Sequence, residues 1–269
     1  MILSLYGILI LIFVVIFLIN SIRLRKEIKI YLKYGVLFAL TLIAIDIAVV
    51  MLIPNFFDVM PLHTLLITDV IVFVITVIFT CLGIYYCTQL GIVEIPLIKR
   101  LSGKIDNSEM IAWRNYIITI IGVVAGAILF SVILFKLTSP KISEALKQLP
   151  EDQGARLGIS DEPSVLTALV LIAFAFGEEI LFRLGIQNYL AKQFRLDGDK
   201  YWVPIVLTSG LWALAHANIL TPEWVKIVQI FPIGIALGFL FRKYGLESCI
   251  FAHGIFNLSM MFIGPYLIT

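Results

Sequence analysis

Asn115–Phe135, NYIITIIGVVAGAILFSVILF, runs without one charged side chain. That is the length a helix needs to cross the roughly 30 Å hydrocarbon core of a bilayer, which takes about 20 apolar residues. In that solvent only a structure that satisfies its own backbone can span, and for a single segment that structure is an α-helix. Ile2–Asn20 is equally free of charge. Outward from these two runs the pattern repeats, and eight spans are expected: residues 2–20, 34–53, 64–93, 115–135, 164–182, 202–220, 225–241 and 246–268. The fold class is therefore all-α, a polytopic transmembrane helical bundle. The third and fifth spans are long enough to tilt. Span 225–241 is short and interrupted by Pro232 and Gly234, a break that a bundle tolerates where protein or a cavity covers it.

Composition agrees. The chain is 61% hydrophobic and 14% charged, whereas soluble proteins are about 25% charged. Cys81, Cys87 and Cys249 lie in or beside apolar segments at no metal-binding or disulfide spacing, and read as small buried hydrophobes. There is no internal repeat, phosphate-binding loop or dinucleotide fingerprint, and the dispersed basic residues give no support for nucleic acid. Those bases instead report topology. Fifteen of the twenty Lys and Arg fall in the loops after spans one, three, five and seven, which places these loops in the cytoplasm and both termini outside. The first span lacks a basic leader and reads as an anchor inserted N-terminus out, in a plasma membrane if the source is prokaryotic. Between spans four and five, residues 137–163 form a polar outer loop with a short helix near Ile142–Leu149.

Ionisable residues inside spans cost at least about 3 kcal/mol each near the bilayer centre, so each asks for a reason. Away from the span ends they are Asp46, Asp69, Glu178, Glu179, His216 and His253, with Arg183 next to the end of span five. In Gly177-Glu178-Glu179-Ile180-Leu181-Phe182-Arg183, Glu179 and Arg183 are four apart with the acid first, the favourable order for an ion pair on one helix face. Glu178 is turned about 100° away. Glu179 is thus tethered, while Glu178 is free to take and return a proton. In Trp212-Ala-Leu-Ala-His216 small residues flank the imidazole, leaving room for a neighbouring helix or a water. In His253-Gly-Ile-Phe-Asn257 an imidazole and a carboxamide share one helix face, and both can donate to the same developing anion. Each piece also has a plainer meaning: an Arg–Glu clasp, a packing histidine, two polar residues joining helices. Measured from Ser164 and Trp202, Glu178 lies about 21 Å along its span toward the cytoplasm, and His216 falls toward the outer end of its own.

In order, Glu-Glu-x-x-x-Arg, aromatic-x-x-x-His and His-x-x-x-Asn resemble the signature of the CPBP family. Its members are CAAX prenyl proteases of the second type and bacteriocin-processing or self-immunity proteins. The resemblance covers roughly residues 164–262 and departs at Trp212, where the family usually has Phe. It implies a glutamate-type, metal-independent intramembrane endopeptidase without cofactor. Glu178 would be the general base on water, His216 would hold that water, and His253 with Asn257 would stabilise the oxyanion. Glu179, Arg183 and Trp212 would support the site. The substrate would be a peptide or protein, lipidated where the enzyme is of the CAAX type, met in the lipid bilayer. Residues 1–136 then become N-terminal transmembrane helices of unassigned role, and 164–269 a catalytic helical core within one membrane domain. Three other readings compete. One is a zinc peptidase with His216, His253 and Glu178 as ligands. Another is a proton-coupled transporter relaying through Asp46, Asp69 and Glu178, and the last is a non-catalytic immunity protein.

Overall fold

The computed structural model describes residues 2–53, 61–101, 113–147 and 163–268. Most of the acidic part of the expected outer loop, Glu151, Asp152, Asp161 and Glu162, lies outside the described residues. The principal helices are α1 (Ile2–Arg23), α2 (Leu32–Leu52), α3 (Leu62–Leu90), α4 (Pro96–Leu101) and α5 (Trp113–Thr138). They continue with α6 (Val165–Glu178), α7 (Asn188–Gln193), α8 (Trp202–Ala215), α9 (Glu223–Tyr244) and α10 (Leu246–Ile263). A π-helical segment, Glu179–Gln187, joins α6 to α7. The protein is a helical polytopic bundle.

Among the described residues seven helical stretches are long and apolar enough to cross a membrane. The one expected span outside these seven, the sixth, departs from expectation. Helix α8 ends at Ala215, not at residue 220. Asn218 takes a left-handed conformation with φ 65°, residues Leu220–Thr221 are extended, and Pro222 has no N–H to continue a helix. The expected weak span behaves in the opposite way. Helix α9 passes through Pro232 unbroken and is 22 residues long.

Apolar side chains face outward as well as inward. Leu11, Ile118 and Leu129 are each about 60% exposed, a surface suited to lipid tails. Inside, Phe17 of α1 stacks on Phe79 of α3 with ring centroids 4.0 Å apart. At Gly83 on α3 a Cβ would stand 2.6 Å from the Leu184 carbonyl oxygen. Only a residue without a side chain lets the π-helical segment lie directly against α3. The first three long helices thereby form the bed on which the later, polar-bearing ones are set.

A two-residue antiparallel ladder, Lys141–Ile142 with Leu220–Thr221, pairs Lys141 with Thr221 and Ile142 with Leu220. Ser143 N–H extends it by donating to the Ile219 carbonyl at 3.1 Å. The strand after α5 is so fixed to the turn after α8, at one end of the bundle.

Candidate active site

Glu178 ends α6, and Glu179 and Arg183 lie on the π-helical segment that follows. A π-turn shifts the backbone bonding to i→i+5 and is found mostly as a short bulge at functional sites. Here it is anchored at its far end by polar residues with no exposure. The Asn188 amide donates to the carbonyls of Arg183 at 2.8 Å and Leu184 at 2.9 Å. Tyr201 O–H donates to the Asn188 Oδ1 at 2.6 Å, and the Gln187 amide donates to the Tyr201 oxygen at 3.1 Å. Burial pushes the Tyr201 phenol well above its usual range, so it remains an O–H donor. Gln187, Asn188 and Tyr201 were not singled out in the sequence. Two adjacent amides inside an apolar run were the available signal.

The ionisable residues converge on that segment. His253 Nδ1 lies 2.8 Å from Glu179 Oε1, and its Nε2 is 3.9 Å from Glu178 Oε2. The other oxygen of Glu179 faces Arg183 Nε at 3.4 Å, with both side chains fully buried. Arg183 also donates from Nη2 to the Gly234 carbonyl at 3.4 Å, and its guanidinium sits over the Trp212 ring, 4.3 Å from the centroid. A buried guanidinium is held here by one acid, one carbonyl and one aromatic face. Glu179 therefore does more than pair with Arg183: it also fixes the His253 ring.

Trp212 is fully buried, and its indole N–H donates to Glu178 Oε2 at 2.6 Å. A phenylalanine at this position could not make that bond. The Trp212 ring also meets both histidines edge-on, with centroids 5.2 Å from His216 and 5.1 Å from His253. His216 Nδ1 is 3.0 Å from the carbonyl oxygen of Trp212. A carbonyl only accepts, so Nδ1 carries the proton and Nε2 is left as an acceptor. Asn257 reaches the Leu171 carbonyl with its amide at 3.4 Å.

Glu178, His216, His253 and Asn257 all line one cavity of about 710 Å³. Trp212, Glu179 and Arg183 stand behind its wall. The depth difference expected for His216 does not arise. The helix bearing Glu178 continues to Gln193, so Glu178 is about 20 Å from that end, and His216 is about 20 Å from Trp202 at the same end of the bundle. The cavity opens toward the other end, where Ile142 and Leu146 of the loop after α5, and Leu220 of the ladder, complete its wall. Asp46 and Asp69 stand apart. Asp46 borders a separate hollow of about 110 Å³. Among the described residues no three His, Cys, Asp or Glu side chains are grouped as a metal-ligand set. Lys226, read from the sequence only as a loop charge, also lines the large cavity.

This arrangement is three polar motifs, on α6 with its π-helical extension, on α8 and on α10, folded around one carboxylate. Residues 160–259 match the family of Rce1-like type II CAAX prenyl endopeptidases. The resemblance carried by the three motifs is thus found over the segment that holds them. The CAAX-endopeptidase-like segment includes every residue of the cluster from Glu178 to Asn257. The chain is also similar to the sporulation-killing factor biosynthesis protein SkfC of Bacillus subtilis (strain 168). The two are 31% identical over 91 residues, 34% of this chain and 18% of that protein. The chain thus spans less than a fifth of that relative's length. No solved structure matches it.

Proposed function

We propose that this protein is an intramembrane endopeptidase that hydrolyses a peptide bond with water activated by Glu178 and His216. The observation that carries the reading is the division of hydrogen-bonding roles around the cavity. Glu178, with Oε2 committed to Trp212, has Oε1 left to accept, and His216 Nε2 is an acceptor as well. These two can hold one water by both of its hydrogens. The remaining pair are donors. With Nδ1–H given to Glu179, His253 offers Nε2–H when its ring carries both protons, and Asn257 offers its amide from one turn further along α10.

The water oxygen attacks the carbonyl carbon while its proton passes to Glu178, and the carbonyl oxygen becomes the anion met by His253 and Asn257. Collapse breaks the C–N bond, and Glu178 returns the proton to the leaving nitrogen. No covalent acyl-enzyme forms. In this scheme Glu179, Arg183 and Trp212 position the reacting groups and do not touch substrate.

The family match supports peptide substrates, CAAX-type prenylated ends, and the similarity to a sporulation-killing factor biosynthesis protein is compatible with the alternative of bacteriocin-like peptides. With the loop-charge orientation, the cavity opens away from the cytoplasm, in a multi-pass plasma-membrane protein whose termini are both outside. The test is Glu178→Gln. It should insert and fold normally yet lose turnover, read by comparing peptide N- and C-termini in cells carrying wild type and variant. Equal termini profiles would refute hydrolysis and leave the non-catalytic immunity reading. The metal-independent form of the proposal expects turnover to survive a strong chelator with no zinc retained in the purified protein. Loss of activity restored by zinc would favour the zinc peptidase instead.

A further inference from the structure

Lys226 stands in the first turn of α9, partly buried, the only Lys or Arg among the described residues lining the large cavity. Its surroundings are built. Lys226 Nζ donates to Gln229 Oε1 at 2.8 Å. The Gln229 amide donates to Ser131 Oγ at 2.9 Å, and the Ser131 hydroxyl donates to the Ala127 carbonyl at 2.8 Å. Gln229 and Ser131 are fully buried. Because the Ser131 proton goes to Ala127, its oxygen must accept from Gln229. That turns the Gln229 carbonyl oxygen toward Lys226, so the relay from α5 fixes where the ammonium sits.

An ammonium has three N–H donors, and this relay uses one. Among the described residues no carboxylate lies within ion-pair distance of Lys226. Glu178 shares the cavity but is engaged by Trp212 and faces His253. A cation kept in an apolar cavity without a counter-ion is costly, and the cost is offset when a ligand brings the anion. We propose that Lys226 is a specificity residue that anchors a carboxylate of the bound peptide, the one at its C-terminus. The assignment rests on the endopeptidase reading for the identity of the ligand, and on the Lys226–Gln229–Ser131 relay for the site.

The experiment measures binding, so it stands apart from turnover. Glu178→Gln protein in detergent is mixed with a pool of apolar hexapeptides made in three forms. These are the free acid, the carboxamide, and the carboxamide with glutamate as the last residue. Retained peptides are counted by mass spectrometry. A charge-assisted pair is worth about 1.5–3 kcal/mol, so the free acid should be enriched at least about tenfold over the carboxamide. Lys226→Met should abolish that preference and Lys226→Arg should keep it. Preference for the glutamate form over the free acid assigns the carboxylate to a side chain and overturns the C-terminal assignment. Equal retention of acid and amide, retention of neither, or a preference that survives Lys226→Met overturns the anchor itself. So does an anionic phospholipid that co-purifies with wild type and is lost in Lys226→Met. Loss of turnover evidence with the acid preference intact would remove the hydrolase reading and leave the carboxylate site.

Discussion

Replacing Trp212 by Phe tests the site at its most specific contact. The change keeps an aromatic ring between Arg183 and the two histidines and removes the indole N–H that donates to Glu178 at 2.6 Å. Hydrogen bonds to charged groups contribute about 1.5–3 kcal/mol net. Glu178 is 26% exposed to the cavity, so water can replace part of the lost bond, and the lower end of that range applies. The smaller ring also leaves a void in a fully buried position, which adds roughly 1 kcal/mol to destabilisation, and it weakens the cation–π contact with Arg183. Two quantities should therefore move together. The Tm falls by several degrees, since about 1 kcal/mol shifts a mid-sized domain by roughly 2–4 °C. Hydrolysis falls about tenfold, since each 1.4 kcal/mol of lost transition-state stabilisation is a factor of ten, as a carboxylate released on one side no longer presents Oε1 to the water. The assay follows cleavage of a substrate identified from the termini comparison, alongside thermal unfolding in detergent. A variant that loses stability but cleaves at the wild-type rate would refute the positioning role of this bond.

Glu179→Gln leaves the buried Arg183 without its acid and His253 without a charged partner. A loss of about 3–5 kcal/mol is expected, seen as poor yield or a sharply lowered Tm, while wild-type stability would mean that the clasp is dispensable. Gly83→Ala pushes a Cβ to 2.6 Å from the Leu184 carbonyl oxygen and should cost roughly 1–3 kcal/mol with reduced turnover. Gly126→Ala, with nothing within 4 Å of its Cβ, is the matched control, and equal behaviour of the two would remove the close seat of the π-helical segment. Asp46→Asn, alone or with Asp69→Asn, should leave hydrolysis within about twofold, as surface-like changes do. A dead double variant that also loses proton flux in vesicles would favour the transporter.

Membrane class was legible because span length and loop charge are properties of single segments, as in Asn115–Phe135. The clustering of Glu178, His216, His253 and Asn257 was anticipated only through the motifs, since no periodicity relates one helix to the next. Three contacts were hidden for the same reason. The Trp212 bond to Glu178 joins residues 34 positions apart. The Glu179 bond to His253 spans 74, and Lys226 acquires its meaning from Ser131, 98 residues from Gln229. The π-helical stretch escaped because its sequence, Glu179–Gln187, satisfies an α-helical pattern equally well. What selects the wider turn is the Asn188 amide capping two of its carbonyls and the bare surface of Gly83 beside it.

The early end of α8 bears directly on the proposed chemistry. Had the helix run on to residue 220, the backbone N–H of His216 would have closed an i→i−4 bond on the Trp212 carbonyl. Instead that N–H turns back to Ala213 at 3.1 Å, and the Trp212 carbonyl is one of the helix-end acceptors left without a backbone donor. His216 Nδ1 takes it at 3.0 Å, which leaves Nε2 as the acceptor. His253 lies inside α10, where the carbonyl one turn back is already occupied, and its Nδ1 goes to the Glu179 carboxylate. The same side chain is thus pressed toward accepting at a frayed helix end and toward donating within a helix beside an acid. The aromatic-x-x-x-His spacing matters through its backbone as well as its ring, since the residue four before the histidine supplies the carbonyl that sets the proton.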